Sequence, residues 1–160
     1  MARLTQRITP FLWFDDRAEE AAKFYVSVFP NSKVSSTSRY DETTAKAAGR
    51  PPGSVMTVAF QLDGQQFVAL NGGPHFTFTE AVSFVVNCES QAEIDHFWSA
   101  LSAGGQEVQC GWLKDRFGLS WQIVPAILDE LLQTGPEKAR RVMTALLHMK
   151  KLDLEALESA

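Results

Sequence analysis

The stretch Lys114-Asp115-Arg116-Phe117-Gly118-Leu119-Ser120-Trp121-Gln122-Ile123-Val124-Pro125 decides how this chain is read. A charged Asp-Arg pair runs into Phe117-Gly118, a turn signal, and then into an apolar run of strand length. Pro125 stops that run, because proline cannot donate to a ladder. The strand reads as buried, and any small-molecule site is expected to use it as one wall.

Working outward, the segment before it has an order that occurs twice. Ala81 to Asn87 is apolar and β-branched, a strand. Ser90-Gln91-Ala92-Glu93 is an S-x-x-E capping box, and Ile94, Phe97, Trp98 and Leu101 follow at helical spacing. Gly104-Gly105 closes that helix, and Glu107 to Leu113 supplies a further strand. The first half runs the same way. Ile8 to Phe14 is a strand whose Pro10 belongs near its start or on an edge. Asp16 then precedes Arg17-Ala18-Glu19, a D-x-x-E arrangement that predicts a helix capped by Asp16. Ala21, Phe24, Tyr25, Val28 and Phe29 form its apolar stripe, and Pro30-Asn31 ends it. Lys33 to Tyr40 alternates as a strand. Asp41 to Ser54 is polar, with Gly49, Pro51, Pro52 and Gly53, and reads as a long mobile loop. Val55 to Leu62 and Gln65 to Leu70 are strands joined by Asp63-Gly64, a hairpin turn, and Asn71-Gly72-Gly73-Pro74 breaks the second sharply.

Phe24 and Phe97 stand 73 residues apart on their helices, and the caps Asp16 and Ser90 stand 74 apart. The recurrence predicts an α+β fold of two βαβββ units, the second with a compressed or irregular middle strand. Antiparallel pairing is expected inside each unit, because its last strands are joined by hairpins. Beyond Pro125, Ile127 to Leu132 reads as a short helix. Pro136 opens another with the stripe Ala139, Val142, Met143, Leu146 and Leu147, and Lys150-Lys151 fall in its last turn. Leu152 to Leu157 adds a turn. The stripe is consistent with packing on the same chain or on a partner.

Composition narrows the function classes. The chain has 160 residues, 45% of them hydrophobic, and 15 basic against 19 acidic side chains. No basic block provides the electrostatic footprint of a nucleic-acid binder. No apolar run reaches the roughly 18–20 residues of a membrane span, and the N-terminus lacks a signal peptide's apolar core. A cytoplasmic location follows as the expectation. Cys88 and Cys110 sit in apolar surroundings and read as buried, reduced thiols. There is no G-x-S-x-G elbow, which counts against a hydrolase.

Several segments together resemble the vicinal oxygen chelate superfamily, with its glyoxalase, bleomycin-resistance and dioxygenase fold. These are Phe14-Asp15-Asp16, Ala22-Lys23-Phe24-Tyr25, Phe29-Pro30, Val55 to Phe60, Asn71-Gly72-Gly73-Pro74, Cys110 to Asp115 and Phe117 to Pro125. The closer resemblance is to the PhnB-like branch, often labelled 3-demethylubiquinone-9 3-methyltransferase. It implies a single glyoxalase-like domain: module one over 8–74, module two over 80–125 and a helical tail over 126–160. The modules would form a curled mixed sheet around a cleft. It also implies a homodimer and a small-molecule ligand, with no nucleic acid and no membrane among its partners.

Classical members bind a divalent metal through His, Gln or Glu on the first and last strands of each module. Carried onto this chain, the positions fall at Thr9 or Pro10, at Leu70 or Asn71, at Ala81, Val82 or Ser83, and at Gln122. Only Gln122 resembles a ligand, and a neutral amide alone does not hold a divalent ion against water. The expectation is no metal and no cofactor. Candidate cleft residues are Trp13, Phe60, Asn71, His75, Trp112, Asp115, Trp121 and Gln122. Aromatic walls suit a planar or apolar ligand. His75 is a possible general base. Asp115 and Arg116 read most simply as solvated turn charges, while His96 and His148 read as surface or packing residues. Three functions remain: a sequestering small-molecule binder, an enzyme of the superfamily with an altered metal site, and methyl transfer. The last lacks the glycine-rich loop after the first strand that the common S-adenosylmethionine enzymes carry.

Overall fold

The structure, a computed structural model, describes residues 4–160 and divides after Thr77 into two compact units. Unit one contains β1 (Phe11–Phe14), α1 (Ala18–Val28), β2 (Lys33–Arg39), α2 (Glu42–Ala48), β3 (Val55–Leu62) and β4 (Gln65–Asn71). Its four-stranded sheet has the order β1-β4-β3-β2. Asp63 and Gly64, at φ 48° and 82°, make the tight β3–β4 turn, a conformation that Asp-Gly tolerates well. Pro10 lies just before the edge strand β1, and its carbonyl accepts from the Val68 amide at 3.0 Å.

Pairing is not antiparallel throughout. β1 runs parallel to β4, with Phe14 opposite Asn71. A helix separates β1 from the strands that follow, so the chain can return alongside β1 in the same direction. The sheet is therefore mixed.

Helix α1 buries Ala18, Ala21, Ala22, Tyr25 and Val28, while Phe24 and Phe29 remain partly exposed. The small alanines let the helix approach the sheet closely, and Tyr25 stacks on Phe60, with ring centroids 6.2 Å apart. The expected Asp16 cap is not formed. The helix begins at Ala18 with no side-chain cap from the preceding residue. Asn71 Oδ1, at the end of β4, accepts from the Ala18 amide at 2.8 Å instead. Asn71 Nδ2 donates to the Val55 carbonyl at 3.1 Å, and the Asn71 carbonyl accepts from the Tyr40 hydroxyl at 2.6 Å.

The predicted loop over Asp41 to Ser54 contains α2. Asp41 Oδ1 accepts from the Thr44 amide and Thr44 Oγ1 accepts from the Asp41 amide, a capping box built on Thr rather than Glu. The Thr44 amide, then its hydroxyl, hold the Asp41 carboxyl below its ordinary range. Gly49, at φ 67°, ends the helix.

Unit two contains β5 (Ser83–Cys88), α3 (Gln91–Ser102), β6 (Gln106–Glu107), β7 (Trp112–Lys114) and β8 (Ser120–Pro125), with the sheet order β5-β8-β7-β6. β5 and β8 are parallel, repeating the arrangement of unit one. The predicted strand over Glu107 to Leu113 is broken, with Cys110 and Gly111 at φ 62° and 83°, so the middle strand is irregular as expected. Ile94, Phe97, Trp98 and Leu101 are buried. The α3 box is half formed: Ser90 Oγ accepts from the Glu93 amide at 3.2 Å, but Glu93 Oε2 accepts from Glu89, one residue before the cap.

The tail packs on unit two. α4 (Leu128–Gln133), α5 (Pro136–Leu147) and α6 (Leu154–Glu158) enclose a core of Val142, Leu146, Leu152 and Leu157 against Val124 and Cys110. The Cys110 and Gly111 amides donate to the Met149 and Lys150 carbonyls, each at 2.8 Å. Lys150 and Lys151 lie beyond the end of α5, not in its last turn, and Lys151 pairs with Asp95 of α3 at 2.8 Å. Met143 and Leu147 are the exposed part of the predicted α5 stripe.

The different helix caps give a test. Asn71→Ala leaves a buried amide and a carbonyl without partners, an expected loss of about 2–4 kcal/mol. Ser90→Ala removes one local cap, for about 1 kcal/mol. Urea denaturation of both variants checks the ranking, and equal losses would contradict the tethering role of Asn71.

Candidate functional site

Burial alternates along the strands of unit one, so one face of its sheet lies under α1 and the other is open. Phe60, expected at the cleft, points to the helix face. It is 0% exposed and stacks on Phe67 at 5.5 Å as well as on Tyr25. It is a core residue. The open face carries Trp13, Leu70, Thr57 and Ser38 in register across the four strands, with Phe11, Val68, Ala59 and Ser36 in the next row. Phe11 is 58% exposed. The Ser38 and Thr57 hydroxyls share a 2.5 Å hydrogen bond. This surface is aromatic and aliphatic on one side and lined with hydroxyls on the other.

The loop after β4 folds back onto Trp13. The Gly72 and Gly73 amides donate to the Phe14 and Asp15 carbonyls, and the Trp13 indole donates to the Gly73 carbonyl at 2.9 Å. A methyl at Gly72 would overlap the Trp13 ring. Gly73 adopts φ 92°, which glycine alone tolerates freely. His75 and Phe76 stand edge-on to Trp13, at centroid distances of 6.4 and 4.9 Å. His75 is exposed. Trp13, Asn71 and His75 are thus brought together, Asn71 as the structural anchor of the loop.

Arg50 approaches the same loop and was not singled out from the sequence. It follows the C-cap of α2, a position with no sequence signal for burial. Its side chain is only 18% exposed, and Nη1 lies 3.6 Å from Asp15 Oδ1.

In unit two, Asp115 is 2% exposed and is not a solvated turn charge. Oδ1 accepts from the Phe117 and Leu119 amides at 2.8 and 3.1 Å, and Oδ2 from the Trp121 indole at 2.9 Å. These donors hold the β7–β8 turn and explain why a carboxylate can be buried there. Trp121 is 2% exposed and packs on Phe84 beneath α3. Asp115 and Trp121 therefore build the strand end.

The open face of this sheet carries Val85, Gln122 and Trp112 in one row, and Ser83, Ser120 and Lys114 in the next. Gln122 Nε2 donates to Ser83 Oγ at 3.0 Å, and Lys114 pairs with Glu80. Lys114, as hydrogen-bond donor and then as a charge, lowers the Glu80 carboxyl from its ordinary range. Ser83 and Gln122 thus satisfy one another as neutral groups. Among the described residues, no group of three or more His, Cys, Asp or Glu is close enough to hold a metal ion.

The other titratable candidates stand apart. His96 is exposed against Phe97, and His148 Nδ1 lies 2.8 Å from the Thr144 carbonyl at the end of α5. Both cysteines are free, Cys88 buried and Cys110 half-buried. Burial, and then the charge of Glu93, push the Cys88 thiol up to about 12, which removes it as a nucleophile at neutral pH.

The close packing of Gly72 on Trp13 predicts that Gly72→Ala displaces the indole. The Trp13 Nε1–H resonance should move and its solvent exchange should quicken, with the fold's other amide resonances retained. An unchanged indole signal would contradict the packing.

Comparison with known proteins follows the same lines. A sequence profile of the 3-demethylubiquinone-9 3-methyltransferase family matches residues 6–124. No functionally curated protein matches the chain. Among solved structures, a PhnB protein from Bacillus cereus is 38% identical, with a TM-score of 0.66 over 74% of this chain and 99% of its own. Protein PA1353 from Pseudomonas aeruginosa is similar at 19% identity and a TM-score of 0.60, over 76% of this chain and 98% of its own. The fosfomycin resistance protein FosX from Listeria monocytogenes shares the fold at 16% identity and a TM-score of 0.53, over 82% of this chain and 99% of its own. With its two mixed sheets and this coverage, the chain belongs to the 3-demethylubiquinone-9 3-methyltransferase family, and its relatives include the PhnB protein of Bacillus cereus.

Proposed function

We propose that this protein binds a small organic molecule and does so without the divalent metal usual in its superfamily. The observation that supports the reading is the Ser83–Gln122 hydrogen bond at 3.0 Å, which engages Gln122, the one ligand-like residue of the carried-over set, with a neutral hydroxyl. Neither group supplies the charge that a divalent ion needs to give up its water. The open sheet faces supply what a planar or partly apolar ligand needs: Trp13 and Phe11 in unit one, Trp112 and Val85 in unit two, each beside hydroxyl or amide groups. Binding is read as sequestration, because among the described residues no nucleophile with an orienting base accompanies these surfaces.

Methyl transfer, the activity in the family's description, is the second reading. Against it, β1 leads into Asp15-Asp16 and α1 with no glycine, and the sheets are mixed rather than parallel. The parts of a common S-adenosylmethionine site are thus not supported.

Metal analysis of the purified protein, with calorimetric titrations of manganese, zinc and S-adenosylmethionine, tests both readings. Expected are substoichiometric metal, no heat of binding for either ion, and none for the methyl donor. A bound metal at one equivalent, lost on Gln122→Ala, would overturn the metal-free reading. Saturable S-adenosylmethionine binding would restore methyl transfer.

A further inference from the structure

Arg50 stands near the open face of unit one with its guanidinium incompletely paired. Its Nε is buried with no hydrogen-bond partner among the described residues. Its contact with Asp15 is a 3.6 Å ion pair, longer than a hydrogen bond, to a carboxylate that is 54% exposed. A guanidinium presents a planar fork of donors, and shielding one from water without filling the fork is costly. A ligand that supplies acceptors to the Nη end of the fork offsets part of that cost.

The surroundings define where such a ligand would sit. Gly73 presents no side chain toward His75 and Arg50. The position that a Cβ would take lies 3.6 Å from His75 Nε2 and 3.9 Å from Arg50 Nη1. Two nitrogen groups therefore approach one point beside Gly73. Trp13 borders it, fixed by its hydrogen bond to the Gly73 carbonyl. Beyond Trp13 lie the apolar rows of the open face. A ligand with a negatively charged oxygen group and an attached flat, apolar part matches both halves.

We infer that Arg50 and His75, across Gly73, form an anion subsite that binds the carboxylate or phosphate group of an aromatic ligand whose ring packs on Trp13. The inference rests on the small-molecule-binding reading and names the ligand class. Arg50 engages two oxygens through its fork, and His75 donates from Nε2 when that nitrogen carries the proton. Asp15 opposes the ligand's charge. Its pairing is long and half-exposed, so an incoming anion displaces it at little cost.

Titration with benzoate, phenyl phosphate and neutral benzamide, followed on the Arg50 Nε–H and Trp13 Nε1–H resonances, tests this. The two anions should shift both signals saturably, and benzamide should shift Trp13 alone and bind more weakly. Arg50→Gln should weaken anion binding by roughly tenfold, and Arg50→Lys should recover only part of it. Asp15→Asn should tighten anion binding several-fold, an effect that a purely structural Arg50 would not produce. If benzamide binds at Trp13 as well as the anions do, and Arg50→Gln changes nothing, the anion subsite is refuted while the binding reading stands. If no probe moves Trp13, the site itself is refuted. Benzoate against phenyl phosphate, compared by affinity, tells which oxyanion Arg50 and His75 prefer.

Discussion

The Asn71 side chain is the constraint on which unit one depends. A single amide at the end of β4 closes the first turn of α1 at 2.8 Å and holds the start of β3 at 3.1 Å. Helix amides at an N-terminus have no partner within the helix. Most proteins supply one from the adjacent residue, but here it comes from 53 positions later. The consequence is that helix, central strands and the following loop cannot move independently. Since Gly72 and Gly73 follow Asn71 directly, the anchor also sets where the loop meets Trp13, and hence where Arg50 and His75 converge.

Unit two solves the same problem with another polar group at another corner. Its helix is capped locally by Ser90, so nothing need reach it from β8. Pro125 takes the strand-end position opposite Cys88, as Asn71 does opposite Phe14. The buried polar group is Asp115, which gathers the β7–β8 turn and the Trp121 indole. Gly105 is tied to this knot, because a methyl there would overlap the Lys114 carbonyl. The two units thus share strand order but not the group that fixes it, which accounts for their faint sequence repeat. Structural groups that satisfy different ends cannot be the same residue.

Much of the fold was legible because its signals are local. Periodicity placed the α1 and α3 stripes, Asp63-Gly64 placed the hairpin, and the restart near Ala81 gave two units. What misled was the identity of hydrogen-bond partners, which sequence spacing does not encode. Asp16 stood at a capping distance, yet Asn71 took the role. Asp41–Thr44 was a cap without the usual Glu, so α2 passed for a loop. Phe60 and Trp121 belonged to the helix side of their sheets, which strand phase determines and aromatic character does not. Asp115 had the composition of a solvated turn, and only the fold shows that the Trp121 indole and neighbouring amides surround it. Arg50 was invisible for the same reason, since its burial depends on the return of the loop after β4.

The open faces differ in a way that bears on chemistry. In unit two the charged and amide groups are matched, Gln122 with Ser83 and Lys114 with Glu80, and only the buried Ser120 hydroxyl lacks a partner among the described residues. A ligand there must compete with interactions already made, so the face suits neutral contacts and shape. In unit one the Arg50 guanidinium lacks a partner at Nε, beside an aromatic ring already held in place. An ordered, unsatisfied donor loses little freedom on binding and strengthens in the partly dry surroundings of the loop. Selectivity for charge is therefore strongest at Arg50, while Gln122 and Ser83 belong to the scaffold of unit two.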